Sequence, residues 1–397
     1  MLTWNTDLHN GFDLPHRHRA WSDAIADRRQ RLIGKAGTLD FCLFHLPTWR
    51  SAYPVTLNRF YEELIGSVKL ADGLGWRSYR TTEHHFHYYG GAVPNPALYL
   101  TALARETQQI RLGTAVSLLP LRHPLQVAED LASLDQFSGG RAEIGLSRGF
   151  VPHEFTAFGV TREESAERMY EGLEVIEKFW AGKPFAHSGR FWSFDTVEPW
   201  PAPVQPTPSV WIAASNDRNN FEAAGRRGYN LMMNQYPMSL ESLTQKLRWY
   251  RDALAGAGHP DVSPGPGGRK AMVALLTVIA DTEEEAVAIG QPAVQEHVAA
   301  FGKVLAGDTW NRDFAASEAA LTGSTGIDDL TTLFRERCLM TTADRAAEKI
   351  AAYRDLGFTE AAFIARFTSI SAERERETVE RLTRDVLLTL GVEAAAA

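Results

Sequence analysis

Cysteine is nearly absent. Cys42 and Cys338 are the only two in 397 residues, too few for a disulfide framework. No apolar run approaches the ~18 residues that crossing a bilayer requires. Residues 1–11 are polar and lack the apolar core of a secretory signal, so a cytoplasmic location without a membrane partner is expected. Positive charge is outweighed: 41 Lys and Arg against 49 Asp and Glu leave a net charge of -8. That balance disfavours nucleic acid or an anionic surface as the main partner. No G-x-G-x-x-G follows a strand-like run, and Gly265-Pro266-Gly267-Gly268 lies in the wrong context, so a Rossmann-type nicotinamide site is not visible.

What is present is an ordinary globular composition, 44% hydrophobic and 23% charged, ample for a large core. Residues 1–37 read as an arm, locally basic around His16-Arg17-His18-Arg19, serving as a subunit contact, a cover or a solvated extension. From residue 38 onward the chain reads as one domain. Strand-like runs are expected at 39–44, 77–82, 110–115, 142–147, 210–214, 229–233, 272–279 and 360–367. Helical periodicity fills the gaps, for example Leu57, Phe60, Leu64, Val68 and Ala71. Asn95 with Pro96 and then Pro124 mark helix starts; Ser138-Gly139-Gly140 marks an end. Residues 182–208, rich in Pro and aromatics, predict an excursion with a hairpin at 191–194. Residues 302–338 break the rhythm and read as either a lid or a surface insertion. Eight strand–helix units without a second compositional regime predict an α/β protein, a single (β/α)8 TIM barrel with an N-terminal extension and insertions.

Three stretches carry chemistry. Glu83-His84-His85-Phe86-His87 follows the second strand, at the barrel end where active sites form. Its imidazoles suit acid–base or orienting roles near neutral pH, though structural histidines and a metal site use the same residue types. The i, i+4 histidine spacing of helical zinc sites is absent and no third-ligand motif stands elsewhere, so no metal is expected. Ser147-Arg148-Gly149 ends the fourth strand; a guanidinium beside a glycine suits a phosphate, or a salt bridge to a helix. Ser215-Asn216-Asp217-Arg218 opens a helix, which suits an anion or an ordinary cap.

These stretches stand in one order with Leu112-Gly113-Thr114-Ala115-Val116, His123-Pro124, Ala128-Glu129-Asp130, Leu134-Asp135, Gly140-Arg141, Gly145-Leu146-Ser147-Arg148-Gly149 and Pro206-Thr207-Pro208 leading to Trp211-Ile212-Ala213. In that order the chain, from about residue 39 to 390, resembles the bacterial luciferase-like, flavin-dependent monooxygenases. The resemblance implies a TIM barrel that takes reduced FMN from a separate reductase. It further implies O2 activation as a flavin C4a-hydroperoxide, oxygenation of a small organic substrate, and a homodimer or higher homo-oligomer. His84 falls on the family's catalytic histidine, with Glu83 and His85 on its neighbours. Ala115-Val116 falls on a non-prolyl cis peptide against the flavin ring. Arg148 and Ser215 fall on phosphate-binding positions, Arg218 replaces a threonine there, and Ser147 replaces a cysteine near the flavin. Two alternatives stay open: an F420-dependent oxidoreductase of the same superfamily, and a non-catalytic flavin-binding subunit.

Overall fold

The computed structural model describes residues 39–235, 238–264, 267–305, 333–387 and 390. Short apolar runs bounded by polar or Gly/Pro residues become strands, and capped amphipathic segments become the crossovers between them. In chain order they are β1 (Asp40–His45), α1 (Leu57–Gly73), β2 (Ser78–Thr81), α2 (Pro96–Glu106), β3 (Arg111–Thr114), α3 (Pro124–Ser138), β4 (Ala142–Leu146), α4 (Pro152–Phe158) and α5 (Ser165–Trp180). Then follow a hairpin of β5 (Phe185–Ser188) and β6 (Ser193–Val197), β7 (Val210–Ala213), α6 (Arg218–Arg226), β8 (Asn230–Asn234), α7 (Leu240–Gly256) and β9 (Ala271–Ile279). The chain continues with α8 (Glu283–Leu305), β10 (Leu339–Thr341), α9 (Ala343–Leu356), β11 (Glu360–Arg366) and α10 (Ala372–Arg381). Thr56, Asn95, Ser239 and Ser371 each accept a first-turn N–H, and Gly139 and Gly357 end their helices in the left-handed conformation.

Eight parallel strands close into a barrel in the order β1-β2-β3-β4-β7-β8-β9-β11 and back to β1. The eight expected strands are all present. A ninth, β10, is an addition: it pairs only with the last three residues of β9 (Leu339↔Thr277 to Thr341↔Ile279), where β9 outruns its barrel partners. The hairpin is present but shifted. Residues 191 and 192 form its turn rather than a strand, because the Arg190, Phe191 and Trp192 amides donate to the Glu171 carboxylate at 2.9–3.1 Å. The 1–37 arm lies outside the described residues, as do residues 306–332 of the expected lid.

The helices pack on the outer face of the barrel through one apolar layer that includes Leu64, Leu100, Leu131, Ile176, Phe221 and Tyr250, all buried. The inside is partly ionic. Arg80 is fully buried and holds Glu143 and Glu360, with its guanidinium 4.2 Å from the Trp211 ring centroid. Gly113 is required next to it, since a Cβ there would stand 2.7 Å from the Arg80 Nη1. Burial alone would raise the Glu143 pKa, but the Arg80 and Arg111 guanidiniums reverse this and hold it at about 2. Burial pushes Glu360 the other way, upward. Arg80 is the charge that makes two interior carboxylates tolerable, so Arg80→Met leaves them without it and lowers stability by about 3–5 kcal/mol. Chemical denaturation of the variant checks this; a midpoint equal to wild type would contradict it.

Candidate active site

In a closed parallel barrel every strand delivers its C-terminal end to one rim. After β2 the chain enters residues 82–92, which are tied back at four points. Thr82 N–H donates to His45 O, and Ser117 Oγ donates to Glu83 Oε2 at 2.8 Å. Gly90 N–H donates to Thr48 Oγ1, and Ala92 N–H to Pro47 O. Glu83, His84 and His85 are all buried.

Adjacent residues in this extended segment point to different sides, and their partners differ accordingly. Glu83 takes His85 Nε2 at 3.1 Å. His84 faces away from Glu83, with Nδ1 3.1 Å from Oε1 of Glu154, on the first turn of α4. The same oxygen accepts the His85 amide at 2.8 Å and lies 3.5 Å from His87 Nε2. Burial would raise the Glu154 pKa; His84, His87 and the His85 amide outweigh it and bring it to about 2. Burial lowers His87, whose side chain is only 3% exposed. It also lowers His297, on α8, to about 4, and this imidazole lies 3.3 Å from the Tyr89 hydroxyl. Both rings are therefore neutral near pH 7.

The His84 ring is enclosed. Phe150 meets it edge-on at 5.7 Å between centroids, Tyr89 lies at 5.8 Å and His87 at 5.4 Å. Gly90 closes the remaining side: it has φ +68, and a Cβ on it would stand 2.7 Å from His84 Cδ2. Donor atoms of His84, His87 and Glu154 lie within 4.8 Å of one another, as an ion would require. Hydrogen bonds from His84 and the His85 amide occupy the Glu154 oxygen without one, while the buried His87 Nε2, 3.5 Å away, makes no hydrogen bond to any described residue.

The next strands extend the rim. Ala115-Val116 is a cis, non-prolyl peptide, as the resemblance implies, directly after β3. Ser147 N–H donates to Ser117 O at 3.2 Å, so Ser147 stands beside the turn that follows this peptide. β4 and β7 are paired at Leu146↔Ile212, and continuing that register brings Arg148 level with Ala214. Histidine cluster, cis peptide, Ser147-Arg148 and Ser215 thus line one rim, three inter-strand steps or roughly 14 Å from end to end. Arg148 is half-buried and has no hydrogen bond or ion pair with any described residue. Arg218 sits apart: it is exposed, bound to Glu222 one turn along its own helix at 2.6 Å, and 5.5 Å from the Trp249 ring centroid. The start of α6 already carries a carboxylate cap, Asp217 accepting from Asn219 N–H. Phe155 belongs to the core, packed with Leu118, Leu121 and Val160. Phe86, with φ +63 and 62% exposure, does face solvent.

Sequence reasoning missed Glu154 and Ser117. The only signal for Glu154 was a carboxylate placed soon after Ser147-Arg148-Gly149.

An imidazole–carboxylate cluster at the C-terminal rim of a closed parallel barrel defines a TIM-barrel enzyme. Residues 39–360 match the luciferase-like monooxygenases, and the chain belongs to that family, a family of oxidoreductases. The oxygenase component of the flavin-dependent trigonelline monooxygenase of Acinetobacter baylyi is 27% identical over 345 residues, 84% of this chain and 90% of that protein. The crystal structure of monooxygenase RslO1 from Streptomyces bottropensis superposes with a TM-score of 0.76 at 28% identity, covering 88% of this chain and 99% of that one. The oxygenating constituent of 3,6-diketocamphane monooxygenase from Pseudomonas putida, a type II Baeyer–Villiger monooxygenase solved with FMN, shares the fold. Its TM-score is 0.72 at 22% identity, over 88% of this chain and 98% of that one. No helix among the described residues is long and apolar enough to cross a membrane.

Two predictions follow from the geometry. Gly90→Ala forces a methyl group toward the His84 ring in a backbone conformation that alanine resists. Turnover falls at least tenfold while the folded content, read by circular dichroism, stays near wild type. Glu154, whose folded-state pKa is depressed, contributes stability that is complete above the ordinary glutamate value of ~4.3 and is lost as pH falls toward 2. Urea midpoints measured against pH show that loss in wild type, and a shallower one in Glu154→Gln.

Proposed function

We propose that this chain is the oxygenase of a two-component monooxygenase. It uses reduced FMN, delivered by a separate reductase, and O2 to oxygenate a small organic substrate. One observation carries the reading: Arg148, a rim guanidinium that no carboxylate among the described residues holds, stands on the same barrel end as the enclosed His84. An unneutralised arginine beside the positive-φ Gly149 suits a phosphate, because a guanidinium offers a two-pronged donor and glycine lets the ligand approach. Between these ends, Ala115-Val116 and Ser147 offer a surface for a flat ring. Ser215, exposed and without a side-chain hydrogen bond, is the second phosphate contact. Arg218 reaches the phosphate only by leaving Glu222, so its contribution is the smaller.

Reduced flavin, when bound, supplies the two electrons that split O2 into the oxygen given to substrate and the oxygen of water. The protein's part is to hold, orient and shield. His84 exchanges a proton at Nε2 with the reacting groups, Glu83 and His85 hold the neighbouring backbone, and Phe150 and Tyr89 keep water from the imidazole. Water exclusion matters because reduced flavin and O2 otherwise yield hydrogen peroxide unproductively.

The purified protein with FMN, NADH, a flavin reductase and a panel of small organic substrates consumes O2 and incorporates 18O from 18O2 into product. Retention of F420 instead of FMN would move the assignment to F420-dependent hydride transfer, and unchanged turnover in His84→Ala to a non-catalytic subunit. Arg148→Ala weakens reduced-FMN binding by about 10- to 100-fold, the value of a charge-assisted hydrogen-bond pair, and leaves riboflavin binding near wild type. Equal losses for both flavins would sink the phosphate assignment.

A further inference from the structure

We infer that Glu154 is a positioning residue that fixes the tautomer of His84, keeping the proton on Nδ1 so that Nε2 is presented bare to the reacting groups. The inference deepens the proposed function and rests on its placement of His84 beside the flavin.

Three observations carry it. First, Oε1 of Glu154 is an acceptor whatever the histidines do, because the His85 backbone N–H donates to it at 2.8 Å and an amide cannot do otherwise. An ionised carboxylate has no proton to give, so the 3.1 Å contact with His84 requires hydrogen on Nδ1. In a neutral imidazole Nε2 then carries the lone pair. Second, Nε2 has no partner among the described residues, so none of them competes for that lone pair. Third, the ring cannot turn over to exchange its nitrogens. Phe150, Tyr89 and His87 pack around it, and the space behind Cδ2 is limited by Gly90.

The carboxylate adjacent in sequence does not serve this purpose. Glu83 is committed to His85 Nε2 and the Ser117 hydroxyl. Glu154 comes from a different strand–helix unit, 70 residues along the chain. When His84 takes a proton at Nε2, the imidazolium faces the Glu154 carboxylate through Nδ1–H, so the charge forms next to a fixed counter-charge. Returning the proton from Nε2 restores the starting tautomer, and Glu154 stays ionised throughout.

The test compares wild type with Glu154→Gln and Glu154→Asp. Protein labelled with 15N in histidine reports the His84 tautomer directly, its resonances identified by their loss in His84→Gln. Wild type shows the proton on Nδ1. Glu154→Gln, whose amide can donate as well as accept, shows a mixed or inverted tautomer. Its kcat falls by about a hundredfold, within the range of general acid–base catalysis, while KM and the FMN dissociation constant stay within about threefold. Glu154→Asp restores the Nδ1–H tautomer and part of kcat. Should Glu154→Gln not fold, the wild-type spectrum and Glu154→Asp still decide. The inference is overturned by a wild-type proton on Nε2. It is equally overturned by an unchanged tautomer and kcat in Glu154→Gln, or by stoichiometric zinc binding that removes the Nδ1 proton. The tautomer measurement needs no turnover, so failure of the monooxygenase reading would appear separately, as no flavin-dependent product in wild type.

Discussion

Everything at the rim depends on closure of the β8–β9 ladder. With Leu231↔Ala271 through Asn234↔Ala274 paired, the sheet becomes a cylinder and all eight strands must end together. Each strand is followed by a helix on the outside, so the segments after the strands converge instead of scattering along an open edge. Residues far apart in sequence, His84, Ser117, Ser147, Glu154 and Ser215, become neighbours or near neighbours by this one topological condition. The apolar layer between barrel and helices stabilises the cylinder, and the rim loops can then be polar without weakening it.

Two buried carboxylate arrangements divide the labour between stability and chemistry. Inside the barrel, Glu143 and Glu360 lean on Arg80; none of the three groups reaches the mouth, and their net effect is structural. Burying charges is costly unless every one is compensated, and here Arg80, also packed on Trp211, holds both carboxylates while Arg111 adds a second ion pair to Glu143. At the rim, Glu154 is compensated differently, by the His85 amide and the His84 imidazole, with the His87 ring 3.5 Å away. A carboxylate held without a guanidinium or ammonium partner keeps its negative charge as a field on the ring beside it. Such an arrangement suits a site where positive charge appears only transiently.

How far the sequence was legible follows from what kind of contact each feature needs. Strands and helices are local: alternation, caps and glycine stops put the eight barrel strands within a few residues of their observed ends. β10 escaped because three residues, Leu339–Thr341, form a strand only where β9 offers an unpaired extension. The hairpin moved because Glu171, on α5, captures the amides of its turn, a tertiary effect. Arg218 could have been read better, since a glutamate four residues on, Glu222, is the ordinary partner for an arginine on a helix surface. Glu154 could not. Successive residues of an extended chain face opposite ways, so the carboxylate adjacent in sequence, Glu83, is a poor candidate for contact with His84.

That same alternation explains why the site needs a loop as well as a strand. A strand could present His84 but not enclose it, because its flanking residues point elsewhere. Residues 82–91 fold back so that His87 and Tyr89 return to the His84 ring, and the return is possible only with glycines at the tight point. A Cβ on Gly91 would stand 2.0 Å from the His87 carbonyl oxygen, and Gly90 occupies the left-handed region. The loop is then anchored on both flanks, through Glu83 to Ser117 on β3's side and through Gly90 to Thr48 on β1's side. A histidine held this way loses little further freedom when it acts, since the cost of orienting it was met in folding. The rigidity of the barrel is thereby passed to one nitrogen atom, and Glu154 decides whether that nitrogen arrives with or without its proton.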